Sequence, residues 1–170
     1  MEKVIKVSCS TVEDAVKKHL SIMGKRLKDK DETLMYSKIT LSDNEADIMH
    51  QYINAAAEVF VSEMTELVTY YGSEDFLVFK ITNSRWGASD GVCIPFEGNF
   101  MGYTVAYVAN AILGMNYPEL AKKYAVDMTN HLAAAIKLVY TKQPPATGEI
   151  DYEEISAIKK IEDSETKTGY

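Results

Sequence analysis

The side chains that could perform catalysis or bind a metal are few and widely spaced along this 170-residue chain. Its histidines are His19, His50 and His131, and its two cysteines, Cys9 and Cys93, form no Cys-x-x-Cys pair. A metal site needs clustered histidine, cysteine or carboxylate ligands, and the three histidines fall on separate predicted helices. We therefore predict no metal site.

Motifs for covalent and phosphate chemistry are also missing from the sequence. The chain has neither a GxSxG elbow for a serine nucleophile nor a glycine-rich phosphate loop of the GxxxxGK[ST] or GxGxxG type. We interpret Cys93, in the sequence GVCIP, as a small apolar side chain in a strand. The acids Asp43, Glu45 and Asp47 fall in a predicted first helical turn, where capping explains them. We predict that the chain has no catalytic residues, binds no cofactor and is not an enzyme.

Two groups of residues favour a protein–protein interface instead. Residues 17–30 contain six basic side chains and one acidic side chain, a local charge of +5. The members of this group that we predict to form an interface are Lys25, Arg26, Lys28 and Lys30. The second group is Arg85 and Trp86 in a glycine-bounded loop, because Arg and Trp dominate interface hot spots. The alternatives are a solvated helix end and a Trp that closes the core.

The C-terminal segment, residues 146–170, is acidic and is predicted to be an extended tail. It contains seven acids and three lysines, a balance of −4, and Pro144 and Pro145 separate it from the preceding helix. It has too few apolar side chains to offset its ordering entropy, so we expect it to become ordered only against a neighbour. The side chains predicted to anchor it, as an added strand or a short helix, are Ile150, Tyr152, Ile155 and Ile158.

The composition is that of an acidic globular protein. Hydrophobic residues make up 46% and charged residues 25% of the chain, which excludes wholesale disorder. No apolar run reaches the roughly 18 residues of a membrane-spanning helix. The net charge of −7 argues against tight, non-specific binding to nucleic acid. Only two of the 18 basic residues, Arg26 and Arg85, can make forked phosphate contacts.

Hydrophobic periodicity predicts four main helices. The first begins at Ser10, which forms a capping box with Glu13. The second begins at Ser42 and runs for about 29 residues to Gly72, a rod of roughly 43 Å that is long enough to contact something beyond its own core. The third covers residues 99–115 and is nearly uncharged, so it is either central in the fold or placed against a partner. The fourth has Pro118 in its first turn and ends before the proline pair.

The β-structure predicted from the sequence is small. Residues 76–82 read FLVFKIT and indicate a strand, with a short strand possible over residues 3–7, a return strand over 92–94 and an extended segment over 33–41. The predicted fold is mainly α: a four-helix bundle-like domain over residues 1–145 with a small β-hairpin or strand insertion, and an extended C-terminal tail over 146–170. The residues expected to be buried together are Ile53, Ala56, Phe60, Val108, Ile112, Leu132 and Ile136.

Two helical sequences carry a resemblance to a known family. Residues 12–22 read VEDAVKKHLSI, and residues 41–64 read LSDNEADIMHQYINAAAEVFVSEM. This order resembles the head–tail connector, or neck adaptor, proteins of tailed bacteriophages, in which a helix with an EEAKxHL-like pattern precedes an acidic DDxxxxxxIxAAxxYV-like helix. The chain departs from that pattern in its long strand and glycine loop, its complete fourth helix and its acidic tail. The corresponding positions are Glu13, Asp14, Ala15, His19, Leu20, Asp43, Ile48, Ile53, Ala55, Ala56, Val59 and Phe60.

The resemblance implies a structural virion protein that forms a closed ring, often of about twelve copies, between the portal and the tail. The implied partners are copies of the chain itself, the portal protein and tail or other neck proteins. DNA would pass through the lumen without specific binding, and no membrane would be involved. The implied location is the virion, after synthesis in the cytoplasm of the host bacterium. Two other classes stay open: a dimeric helical regulatory or immunity-type binding module, and a small soluble enzyme with a dispersed site.

Overall fold

The computed structural model describes residues 2–27, 46–73, 75–82, 91–114 and 117–140. Helix accounts for 72% of these residues and a three-stranded sheet for most of the rest, so the prediction of a mainly α chain with a small β-element is confirmed. The elements in chain order are β1 (Glu2–Ser8), α1 (Cys9–Arg26), α2 (Ala46–Ser62), β2 (Val68–Gly72), β3 (Phe76–Thr82), α3 (Cys93–Leu113) and α4 (Pro118–Tyr140).

The three strands form an antiparallel sheet in the order β1–β3–β2. In the central strand, Phe79 lies opposite Ile5 of β1 and Tyr70 of β2. Leu77, Phe79 and Ile81 are fully buried and alternate with more exposed neighbours, because only one face of the sheet lies on the core. The predicted strands over residues 76–82 and 3–7 are therefore confirmed.

The long second helix predicted from the sequence is wrong in its C-terminal part. α2 ends at Ser62, and its 17 residues span roughly 26 Å. Turns over residues 63–67 lead into β2, whose sequence VTYYG is β-branched and aromatic and pairs with β3. Residues 68–72 therefore pair with the sheet instead of continuing the helix that their hydrophobic pattern predicted. The predicted start at Ser42 and its capping box lie outside the described residues.

α1 begins at Cys9, one residue before the predicted start, and lacks the predicted capping box. Its N-cap is Ser8, which makes no side-chain capping bond, and Ser10 Oγ lies 2.7 Å from Ser8 Oγ instead. The buried residues of α1 include Val12, Val16 and Leu20, which follow the predicted spacing.

α3 lies at the centre of the fold. It begins at Cys93, so the predicted return strand over residues 92–94 is wrong, and Pro95 is accommodated in the first helical turn. The helix packs against α1, α2, α4 and β1, so its uncharged stretch over residues 99–113 contributes to the core. Neither α3 nor any other helix in the described part of the chain is long and apolar enough to cross a membrane.

α4 packs chiefly and antiparallel on α3. His131 of α4 meets Asn99 and Gly102 near the start of α3, whereas Tyr124 lies beside Ala106 further along it. Pro118 is the first residue of α4, as predicted. The predicted four-helix bundle is not confirmed, because α4 pairs mainly with one helix and a sheet completes the core.

Five aromatic rings form the centre of the core. The ring centroid of Phe60 lies 5.4 Å from that of Phe100 and 5.1 Å from that of Tyr103, and the centroid of Phe79 lies 4.7 Å from that of Phe100. Phe96 completes the cluster, in which the rings are tilted or edge-on as their quadrupoles favour. Four residues of the predicted core are buried, namely Ile53, Ala56, Phe60 and Val108. The other three are partly buried, namely Ile112, Leu132 and Ile136.

Candidate functional site

Two of the residues predicted to form an interface lie within the described structure. Lys25 and Arg26 are exposed in the last turn of α1, where cations complement the negative end of the helix dipole. The amide of Leu27 donates to Met23 O at 2.9 Å and ends the helix. The predicted interface residues outside the described ranges are Lys28, Lys30, Arg85, Trp86, Ile150, Tyr152, Ile155 and Ile158.

The end of α1 presents positive charge together with an apolar side chain. Lys18, Ile22, Lys25 and Arg26 share one helical face and are all exposed, with Ile22 at 42%. We name these four residues the basic end. The sequence contains no acid between residues 15 and 27.

A groove between α2 and the end of β2 has the opposite character. It has a volume of about 920 Å³, and none of the described residues that line it is a lysine or an arginine. α2 contributes a polar stripe at helical spacing that includes Asp47, Gln51, Asn54 and Glu58, and β2 contributes Tyr70. The helical spacing of these four α2 residues is visible in the sequence, but helix capping explained only Asp47 and did not reveal the stripe.

A second hollow of about 450 Å³ adjoins this groove, since His50 lines both. It adds the carboxylates of Glu13 and Asp75, and it holds the side chain of Phe76, which is 46% exposed. His50 Nε2 lies 2.9 Å from Glu13 Oε1, which links the starts of α1 and α2. We name the two hollows together the acidic groove.

Hydrogen bonding orders the wall of the acidic groove. The Tyr70 hydroxyl donates to Asn54 Oδ1 at 2.8 Å and so ties β2 to α2. Burial raises the pKa of the Tyr70 phenol to about 12, with smaller contributions from Cys9 and Glu58. The phenol therefore stays neutral and adds no charge to the groove at physiological pH.

The basic end and the acidic groove lie toward opposite ends of α1. Glu13 belongs to the groove, and Lys25 lies twelve residues further along the same helix. Twelve residues of α-helix span roughly 18 Å, which is beyond the reach of the side chains. Within one molecule, Lys25 and Arg26 therefore cannot reach Glu13.

A small cleft elsewhere brings together residues that the sequence kept apart. His19 and His131 line it together with Tyr124 and Asp127, and its volume is about 280 Å³. His19 Nε2 lies 2.7 Å from the Tyr124 hydroxyl, and His131 Nδ1 lies 3.3 Å from Asn99 Oδ1. No local motif could reveal this cleft, because His19 and Tyr124 are 105 positions apart.

The electrostatics of this cleft keep its histidine–tyrosine pair neutral. Burial lowers the pKa of His19, against a smaller opposing effect of Asp127. Burial also raises the pKa of Tyr124, and Asp127 adds to that effect. The contact between His19 and Tyr124 joins α1 to α4, and the contact between His131 and Asn99 joins α4 to α3. Among the described residues, no three His, Cys, Asp or Glu side chains are grouped to hold a metal ion.

The buried cysteine of α1 is a poor candidate for a nucleophile. Burial raises the pKa of the Cys9 thiol, and Glu13 and Asp75 raise it further. The thiol lies 3.7 Å from Ser73 O, to which it donates. Reactive cysteines need a lowered pKa, so Cys9 acts as a small core residue. Neither Cys9 nor Cys93 forms a disulfide bond.

Comparison with protein-family models, with curated proteins and with solved structures found no match in any of the three.

Proposed function

We propose that this chain is a structural virion protein that forms a ring at the neck of a tailed bacteriophage, between the portal and the tail. The sequence patterns over residues 12–22 and 41–64, which resemble those of head–tail connectors, supply the biological context for this proposal. The observation that carries it is the separation of Lys25 and Arg26, at the end of α1, from the acidic groove, which lies at the start of that helix and along α2.

This separation favours a ring over a symmetric dimer. In a two-fold dimer residue i contacts residue j and j contacts i, so both pairs of complementary surfaces would have to meet across a single axis. Two different and complementary surfaces instead favour head-to-tail association, which closes into a ring when the rotation per copy allows it. A ring of acidic subunits would also let DNA slide through without adhering to the wall.

The remaining predicted interface residues belong to contacts with other neck components in this proposal. The anchors of the acidic tail, Ile150, Tyr152, Ile155 and Ile158, would dock on the portal or on a tail protein. Arg85 and Trp86 would contribute a hot spot to the same contacts. Docking of a short extended segment commonly uses strand addition or a helix in a groove.

The test measures the assembly state and the partner of the full-length chain. Size-exclusion chromatography with light scattering and negative-stain electron microscopy are expected to reveal a closed ring, alone or on the portal protein of the same phage. A stable two-fold dimer that ignores the portal would favour the regulatory or immunity-type module instead. A monomer that neither self-associates nor binds the portal would contradict the proposal.

A further inference from the structure

We propose that the basic end of one copy docks into the acidic groove of the next copy. This inference rests on the proposed function, because it specifies the contact that joins neighbouring subunits. The occupant of the groove is a second copy of this chain, since the two surfaces are complementary in charge and Lys25 lies roughly 18 Å along α1 from Glu13 of the same molecule.

The charges on the two surfaces nearly balance. The basic end carries three cations and no acid. Among the described residues, the lining of the acidic groove contains four carboxylates and no lysine or arginine. The cations are Lys18, Lys25 and Arg26, and the carboxylates are Glu13, Asp47, Glu58 and Asp75. Such complementarity steers association and suppresses wrong registers.

An apolar contact accompanies the charges. Exposed ion pairs contribute little stability alone, so a contact of useful affinity also needs apolar burial. The basic end offers Ile22, and the acidic groove offers Phe76 on its rim, each more than two-fifths exposed in the single chain. Docking would cover both side chains and leave the cations beside the carboxylates.

The experiment reverses the charge of each surface in turn. One variant combines Lys25→Glu with Arg26→Glu, and a second combines Asp47→Lys with Glu58→Lys. The first variant places glutamates opposite the carboxylates of the groove, and the second places two lysines opposite the cations of the basic end. We therefore expect the self-association of each variant alone, measured by sedimentation velocity at low salt, to be weakened tenfold or more, on the order of several exposed ion pairs. An equimolar mixture restores complementary contacts at every junction and is expected to recover association.

Two controls separate the docking contact from unfolding and from a general charge effect. Lys122→Glu with Lys123→Glu reverses two exposed charges on α4, a helix that contributes no residue to either surface, and is expected to leave association unchanged. Thermal unfolding by circular dichroism checks that each variant folds, and Arg26→Glu alone serves if the double variant does not fold. Recovery on mixing cannot be produced by variants that have lost their fold.

The outcomes distinguish this inference from the proposed function. Rings that persist in both charge-reversed variants would overturn the docking contact and leave the neck proposal standing. A wild-type chain that stays monomeric at all concentrations would overturn the docking contact, while binding to the portal would still support the neck proposal. Loss of portal binding without loss of self-association in the groove variant would assign the groove to the portal and also overturn the inference.

Discussion

Phe60 lies at the centre of the aromatic core. Its side chain is fully buried, and its ring contacts those of Phe96, Phe100 and Tyr103. Removing such a side chain loses its transfer free energy and leaves a cavity that neighbouring rings fill only in part. The cluster therefore joins α2 to α3, and through Phe79 it joins both helices to the sheet.

We expect Phe60→Ala to lower the free energy of unfolding by about 3–5 kcal/mol in urea denaturation. The matched control is Phe76→Ala, because Phe76 is 46% exposed and loses far less burial. An equal effect of the two substitutions would contradict the central position assigned to Phe60.

His19 makes the stability of the protein depend on pH. Burial lowers its pKa below the ordinary value of 6.5, so the unfolded chain takes up a proton at a higher pH than the folded chain does. Between the two pKa values the unfolded state holds more protons, and the free energy of unfolding therefore rises with pH. The contribution of the neutral ring is complete above the unfolded pKa and is lost as the pH falls below it.

We expect His19→Gln to flatten the dependence of unfolding free energy on pH between about pH 5 and 7. Glutamine can still hydrogen-bond to the Tyr124 hydroxyl but does not titrate in this range. Urea denaturation at a series of pH values measures the slope. Identical slopes for the wild type and the variant would show that His19 has the same pKa in both states.

At the scale of the elements, α3 and α4 approach closely where Gly102 faces His131. A Cβ at position 102 would lie 2.9 Å from His131 Cδ2 and would overlap Cε1 and Nε2 of the same ring. The ring is held there by its contact with Asn99. Gly98, one turn earlier on α3, has open space around the position of a Cβ.

This pair of glycines predicts opposite effects of the same substitution. Gly98→Ala is expected to stabilise the protein by about 0.5–1 kcal/mol, because glycine weakens a helix interior. Gly102→Ala is expected to destabilise it by about 1–3 kcal/mol through overpacking. Thermal or urea unfolding of both variants measures the effects, and His131→Ala in the same chain should remove most of the Gly102→Ala penalty. Equal effects at the two positions would contradict the close helix approach.

At the scale of the whole molecule, the hydrophobic core lies within residues 2–140, and the acidic tail follows these residues in the sequence. The cluster of buried residues runs from Ile5 to Val139. In the proposed assembly, the basic end and the acidic groove join like subunits, whereas the tail joins the ring to other neck proteins. The two kinds of contact should therefore be separable.

We expect a chain truncated after Pro145 to keep its fold and its self-association but to lose binding to the portal or tail partner. Circular dichroism, sedimentation velocity and co-purification with the portal protein measure the three properties. Raising the salt concentration from about 0.05 to 0.5 M should weaken self-association, because exposed charges are screened. Loss of self-association on truncation would instead place the tail on the basic end of the neighbouring subunit.

The sequence by itself determined the elements whose pattern agrees with their final environment. Burial follows a regular period in two of these elements, the α1 stripe of Val12, Val16 and Leu20 and the strand Phe76–Thr82. The start of α4 is marked by its proline, which favours the first turn of a helix. The basic end of α1 was also evident, since clustered lysines need no tertiary contact to be recognised.

Only the tertiary structure decided the features that depend on distant partners. Residues 68–72 form a strand because they pair with the edge of β3. The hydrophobic pattern of these residues alone predicted a helix. α3 begins at Cys93 rather than at the predicted residue 99, because the added turns place Phe96 in contact with Phe60 and Phe79 in the core. The acidic groove likewise combines carboxylates from α1, α2 and the turn before β3, and side chains so far apart in the sequence become one surface only when the chain folds.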